Sequence, residues 1–138
     1  MAHTLSIPVL GSGDVVDQAS AGARLRSGVA GLFIGRGALQ NPYIFSDMVE
    51  GRPNRLRHNP QLCLTVLSRY SELLTECFSP NACVGKLKQL ASQMCRGHGW
   101  RKLLLEARRF DDQRALLVRL TEAVAEQRTV DDYAIGCH

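Results

Sequence analysis

The chain has 138 residues, 45% of them hydrophobic and 22% charged, with a formal net charge of +4. That length normally makes one domain, and it excludes a complete eight-fold β/α barrel, which needs about 250 residues and rarely fewer than about 200. No run of about 18 apolar residues occurs, so no membrane span is expected, and the start MAHTLSIPVL lacks the basic and long apolar regions of a signal peptide.

Residues 1 to 6 read as a lead-in. Ile7-Pro8-Val9-Leu10 predicts a short strand, with Pro8 near its start, where a missing N–H costs least. Gly11-Ser12-Gly13-Asp14 predicts a glycine turn at its end. Val15 to Ser27 predicts a helix with Asp17 as N-cap, Ala19, Ala23 and Leu25 as a modest apolar face, and Gly28 where a C-cap glycine belongs. Val29 to Ile34 is a nearly continuous apolar run, as expected of a strand buried on both faces. Gly35-Arg36-Gly37-Ala38 predicts a second glycine turn leading to a helix start. Two parallel strands joined by a helix should form a right-handed unit with both turns on one rim. Turns of this kind offer backbone N–H groups to a phosphate.

Asn41-Pro42-Tyr43-Ile44-Phe45 opens a short helix through Val49, and Gly51-Arg52-Pro53-Asn54 breaks the chain. From Asn59, which can cap a helix with Pro60 at its first position, the pattern is helical. The first such helix runs to about Phe78 with Leu62, Val66, Leu67, Tyr70, Leu73, Leu74 and Cys77 inward. The second spans about Ala82 to Arg96, with Val84, Leu87, Leu90, Ala91 and Met94 inward. A third runs from about Trp100 to Arg109. A fourth, capped by Asp111, runs to about Glu126 with Leu116, Leu117, Leu120, Ala123 and Val124 inward. Four helices with short connections suggest an antiparallel bundle, and the tail beyond it is expected to be poorly ordered.

The stretch IPVLGSGD followed by GLFIGRGALQNPYIF resembles the last two strand-loop units of the flavin barrel in tRNA-dihydrouridine synthases, with the likeness nearest to the bacterial branch. It covers about 40 residues closely and the helical remainder loosely. The fold class this implies is α/β plus all-α: a C-terminal fragment with the last two strand-helix units of a TIM barrel, then a four-helix bundle domain. The expected domains are 1-51 for the barrel part, 52-58 for a linker, 59-127 for a tRNA-binding helical domain and 128-138 for a flexible tail. Two such strands need neighbours, so the missing strands are expected from an absent N-terminal barrel portion or a second copy, with truncation the favoured explanation. The family carries out FMN-dependent, NADPH-driven reduction of uridine to dihydrouridine in tRNA. Its Asn-Gly-Asp pattern against FMN corresponds to Ser12, Gly13 and Asp14, with Ser12 in place of the Asn. Gly35 and Arg36 are the implied contacts to the FMN phosphate. The proton-donating cysteine belongs to a mid-barrel loop. None of the five cysteines here stands in that context, so no catalytic residue is expected and the chain should be inactive alone.

Positive charge is concentrated between Lys86 and Arg109. Lys86, Lys88, Arg96, Arg101, Lys102, Arg108 and Arg109 against Glu106 alone give a local balance of +6. Such a strip attracts phosphate backbones without reading sequence. His98 and Trp100 add flat rings there, and Trp100 either stacks on a base or fills the helical core. The resemblance implies a tRNA-facing surface. The alternative is a non-enzymatic helical RNA-binding module, and a third reading is another FMN-dependent barrel enzyme.

Cysteines stand at 63, 77, 83, 95 and 137, an odd number without a Cys-x-x-Cys pair, as in a reduced cytoplasmic protein. The first four fall in helical patterns and read as buried structural thiols. His3, His58 and His138 have no ligand-spaced partners, so no metal site is expected.

Overall fold

The computed structural model describes residues 5–126. The expected tail from 128, Cys137 and most of the lead-in lie outside them. The chain divides into two compact units, the first ending at Arg55 and the second starting at Leu56.

The first unit contains β1 (Leu10–Ser12), α1 (Gln18–Leu25), β2 (Gly31–Phe33), α2 (Arg36–Gln40) and α3 (Ile44–Val49). β1 and β2 pair in parallel, with Leu10 opposite Gly31, Gly11 opposite Leu32 and Ser12 opposite Phe33. The first strand therefore begins three residues later than the sequence suggests. Pro8 has no N–H to give a ladder, and the ladder reaches back only to the Val9 carbonyl, which accepts from the Ala30 N–H at 2.8 Å. Gly11 and Ser12, expected in the turn, belong to the strand. Gly31 leaves room for Leu10, whose side chain an added Cβ would meet at 2.9 Å. β2 is not buried on both faces: Phe33 is 63% exposed.

α1 starts at Gln18 because Asp17 is a committed N-cap. Its backbone is extended, its carboxylate accepts from the Ser20 N–H at 2.8 Å, and Ser20 Oγ accepts from the Asp17 N–H at 3.1 Å. This reciprocal pair satisfies donors that the helix start would otherwise leave open. The Ser20 hydroxyl, donating to Asp17 Oδ1 at 2.7 Å, and the Ser20 N–H hold the Asp17 carboxyl below its ordinary range. The helix stops at Leu25, two residues short of the expected end, and the chain reverses through Gly28 at φ 87°. Val15, expected in the helix, is instead buried in the approach to it.

The second unit contains α4 (Pro60–Cys77), α5 (Pro80–Met94), α6 (Arg101–Glu106) and α7 (Phe110–Ala125). Asn59 caps α4 as expected, accepting from the Leu62 N–H at 2.9 Å, with Pro60 in the first turn. α4 packs on α5 and α7, and α5 packs also on α6 and α7. The core holds Cys63, Leu64, Leu67 and Leu74 from α4, and Cys83, Leu87 and Ala91 from α5. Leu104 comes from α6, and Leu116, Leu117, Leu120 and Ala123 from α7. The buried stripe of α4 is thus turned relative to the expected one: Leu73 and Cys77 are exposed, while Cys63, Leu64 and Ser71 are inside. Leu62, Leu64, Val66 and Leu67 offer two apolar faces, and the contacts with α5 and α7 select between them. α7 begins at Phe110, with Arg109 at the cap position and Asp111 inside the first turn, so Asp111 is not the cap. There its charge favours the helix start through the dipole.

Candidate functional site

The first expected turn narrows to Gly13 and Asp14, which take φ 105° and 48°. Asp is one of the few L-residues that enter this left-handed region at modest cost. α1 reaches back to hold the turn, with Arg24 Nε donating to the Gly13 carbonyl at 3.2 Å. The second turn is tighter than its sequence implies. Gly35 takes the N-cap position and Arg36 already begins α2. Its two glycines do different work. An added Cβ on Gly37 would run into the Val15 carbonyl oxygen, so the close approach there is made by the chain itself. A Cβ on Gly35 would meet nothing within 4 Å.

Both turns leave the C-terminal ends of parallel strands, and the fold brings them together. Arg36 Nη2 lies 3.2 Å from Asp14 Oδ1, with the two side chains 77% and 82% exposed. An ion pair so open to water is weak and readily exchanged. The rim therefore presents Arg36, Asp14 and an open space over Gly35, with the Arg24 guanidinium at the Gly13 side. Ser12, the last residue of β1, is exposed beside them.

A neighbouring polar cluster escaped the sequence reading. Asp47 on α3 is buried, yet its carboxylate accepts from Asn41 Nδ2 at 2.8 Å and Arg55 Nε at 2.6 Å. Arg55 Nη2 also pairs with Asp47 Oδ1. The Asp47 carbonyl accepts from the Arg52 N–H at 2.7 Å, and the Arg55 guanidinium covers the Tyr43 ring at 4.8 Å. Burial pushes the Asp47 carboxyl up, but the hydrogen bonds from Asn41 and Arg55 outweigh it and hold the group below its ordinary range. The bond to Asp47 correspondingly raises Arg55. The cluster fixes the Asn41-Pro42-Tyr43 corner and α3, which follow the Gly35-Arg36 turn. Its partners are six and eight residues from Asp47, spacings that no local pattern marks.

The basic strip is spread over several elements. Lys86 and Lys88 are half-buried on α5, with the Lys86 ammonium 4.2 Å from the centre of the Phe78 ring. Arg96 follows α5 and donates to Gln93 Oε1 at 3.1 Å. Lys102 pairs with Glu106 at 3.6 Å and Arg109 with Asp111 at 3.9 Å, all of them exposed, as is Arg108. Arg101 differs: its Nη2 donates to the Ser92 carbonyl at 3.1 Å, and its Nε is buried. One guanidinium nitrogen is thus bonded within the protein, while the buried Nε has no hydrogen-bond partner among the described residues. Trp100 is 2% exposed, so it fills the helical core and cannot stack on a base. His98 lies against it with centroids 5.0 Å apart, and its Nε2 is 3.2 Å from the Leu56 carbonyl.

Among the described residues, no group of three or more His, Cys, Asp or Glu could hold a metal ion, and no helix is long and apolar enough to cross a membrane.

The chain matches the family model described as dihydrouridine synthase (Dus) over residues 1–127. It is 39% identical over 46 residues to a Xenopus laevis protein named tRNA-dihydrouridine(47) synthase [NAD(P)(+)]-like. It is 37% identical over 46 residues to the protein of the same name from Xenopus tropicalis. In each case the match covers 33% of this chain and 7% of the relative's length. With its two glycine turns joined by Asp14 and Arg36 and with the family model spanning all but its last residues, the chain belongs to the dihydrouridine synthase family.

Proposed function

We propose that this chain serves tRNA dihydrouridine synthesis, supplying part of an FMN-phosphate site from residues 1-51 and a tRNA-facing helical part from residues 59-127, with 52-58 as the link. The observation that carries this reading is the match to the dihydrouridine synthase model over residues 1–127. The name of the two Xenopus relatives supports tRNA as substrate and a nicotinamide cofactor as reductant; NADPH is the proposed one, and the cytoplasm the proposed place of action.

The residues present fit the phosphate end of FMN. Arg36 offers an exposed guanidinium that Asp14 holds only weakly. Gly35 leaves space beside it, where an added Cβ would meet nothing within 4 Å. Gly35 and Arg36 would hold the phosphate, and Ser12, Gly13 and Asp14 would border the cofactor with short polar groups. Bound flavin supplies hydride transfer to the uridine ring. No residue here is assigned to proton donation, and uridine reduction requires further strands from elsewhere, either an N-terminal barrel portion or a second copy. The exposed apolar side chains of Ile7, Leu10 and Phe33 around the two-stranded sheet support that need. Among the basic residues, Lys86, Lys88, Arg96, Lys102, Arg108 and Arg109 are the proposed RNA contacts. Arg101, turned inward, holds the α6 start in place.

The test is the absorbance spectrum of the purified chain after incubation with FMN and desalting, with Arg36→Ala alongside. Retained flavin that the substitution removes supports the phosphate site. No retained flavin, together with tRNA binding that weakens steeply with salt, favours the helical RNA-binding module instead.

A further inference from the structure

The Cys63 and Cys95 sulfurs lie 3.4 Å apart, and both residues are fully buried. Nothing in the proposed function uses them. The other described thiols are placed differently. Cys83 directs its sulfur to the Leu74 and Phe78 carbonyls at 3.6 and 3.7 Å, and Cys77 is exposed. We propose that Cys63 and Cys95 are a peroxide-oxidisable dithiol whose disulfide ties the start of α4 to the C-terminal end of α5.

A disulfide needs its sulfurs about 2.0 Å apart, so the pair must close by roughly 1.4 Å. The two ends differ in their freedom to do this. Cys63 lies within α4 and Cys95 at the end of α5, each with its N–H bonded to the carbonyl four residues back, Asn59 at 3.1 Å and Ala91 at 3.0 Å. Cys95 is the C-cap of α5 and has left helical geometry, and Gly97 two residues on turns the chain at φ 93°. Movement is therefore available at Cys95. The same two segments are already held together by the contact between His98 Nε2 and the Leu56 carbonyl.

The hydrogen bond the thiols share holds Cys63 below the ordinary thiol range and, together with burial, pushes Cys95 above it. Cys63 is then the nucleophile and Cys95 the proton source. Hydrogen peroxide, scarcely larger than water, is the oxidant suited to a buried pair. The Cys63 thiolate attacks one peroxide oxygen, the O–O bond breaks, and the leaving hydroxide takes the proton that Cys63 released on ionising and becomes water. Cys63 is now a sulfenic acid. The Cys95 sulfur attacks the Cys63 sulfur, the S–O bond breaks, and the hydroxyl departs as water with the Cys95 proton. Two thiols have lost two electrons and two protons, and one peroxide has become two waters.

The test is peroxide treatment of the whole chain, native and urea-unfolded in parallel, followed by thiol titration, non-reducing peptide mapping and intact mass. The expected native product has two fewer titratable thiols than the five of the reduced chain. Its mass is lower by two hydrogens, its map contains one Cys63–Cys95 linked peptide, and dithiothreitol reverses it. Cys77→Ser should leave that link in place. Five thiols remaining after treatment would overturn the proposal. So would links through Cys77, Cys83 or Cys137 without Cys63–Cys95, or a native map no different from the unfolded one.

Discussion

Replacing Asp47 by asparagine should loosen the segment from Asn41 to Arg55 while barely changing the size of the side chain. The carboxylate accepts from Asn41 on one oxygen and from Arg55 on the other. An amide must turn its NH2 towards one of these two donors, so one side loses its acceptor whichever way the new side chain lies. A hydrogen bond to a charged group contributes about 1.5–3 kcal/mol, and a buried donor left unpaired costs about 1–3 kcal/mol. Arg55 keeps 29% of its side chain exposed, so water recovers part of the loss. The net expectation is about 2–3 kcal/mol, which is roughly 30- to 150-fold in the opening equilibrium. Amide hydrogen exchange reads this at Arg52, whose N–H bonds the Asp47 carbonyl. Acid gives a second reading. Because the folded carboxyl lies below the unfolded value near 3.8, its contribution is complete above that pH and fades as pH falls through the depressed value. The wild-type chain should therefore lose Arg52 protection below about pH 4, and the Asp47→Asn chain should lack that step. A change in protection of less than about threefold, roughly 0.6 kcal/mol, would refute the assignment of a structural role to this carboxylate.

Gly37→Ala places a methyl against the Val15 carbonyl and should destabilise the first unit by about 1–3 kcal/mol, seen as faster exchange along α2. Gly85→Ala, in mid-α5 with nothing within 4 Å of the new methyl, should raise the stability of the second unit by about 0.5–1 kcal/mol in urea titration. Asn59→Ala removes the acceptor for the Leu62 N–H and should cost about 1 kcal/mol by the same titration. Trp100→Ala empties a fully packed site and should cost about 3–5 kcal/mol, with loss of the upfield-shifted His98 ring protons that its stacking produces.

Features set by neighbouring residues were legible in the sequence, and features set by distant partners were not. Asn59-Pro60 and Asp17 were readable as helix starts because a cap bonds within three residues of itself. The meeting of Asp14 and Arg36 follows from parallel strands whose ends share a rim, a consequence of connectivity. The strand limits depended instead on which residues find a ladder partner, and Pro8 together with the Val9–Ala30 bond moved them. The α4 stripe could not be chosen from a helix apolar on two sides. Trp100 and Arg101 sit in a basic context that suggested a surface, but the indole is covered and the guanidinium satisfies the Ser92 carbonyl. The family resemblance rests on the glycine turns and the residues around them, a short stretch, and the match to the Xenopus relatives is short as well.

The parallel pair of β1 and β2 bears on how the chain behaves in concentrated solution. Among the described residues each strand is paired on one side only, which leaves backbone donors and acceptors along two outer edges. Natural sheets guard such edges with prolines, charges or bulges. Pro8 guards the approach to β1. Gly31-Leu32-Phe33 has no comparable gatekeeper, and Phe33 is largely uncovered. β2 is therefore the segment on which aggregation should begin. Phe33→Lys should delay turbidity on concentration without touching the helical unit.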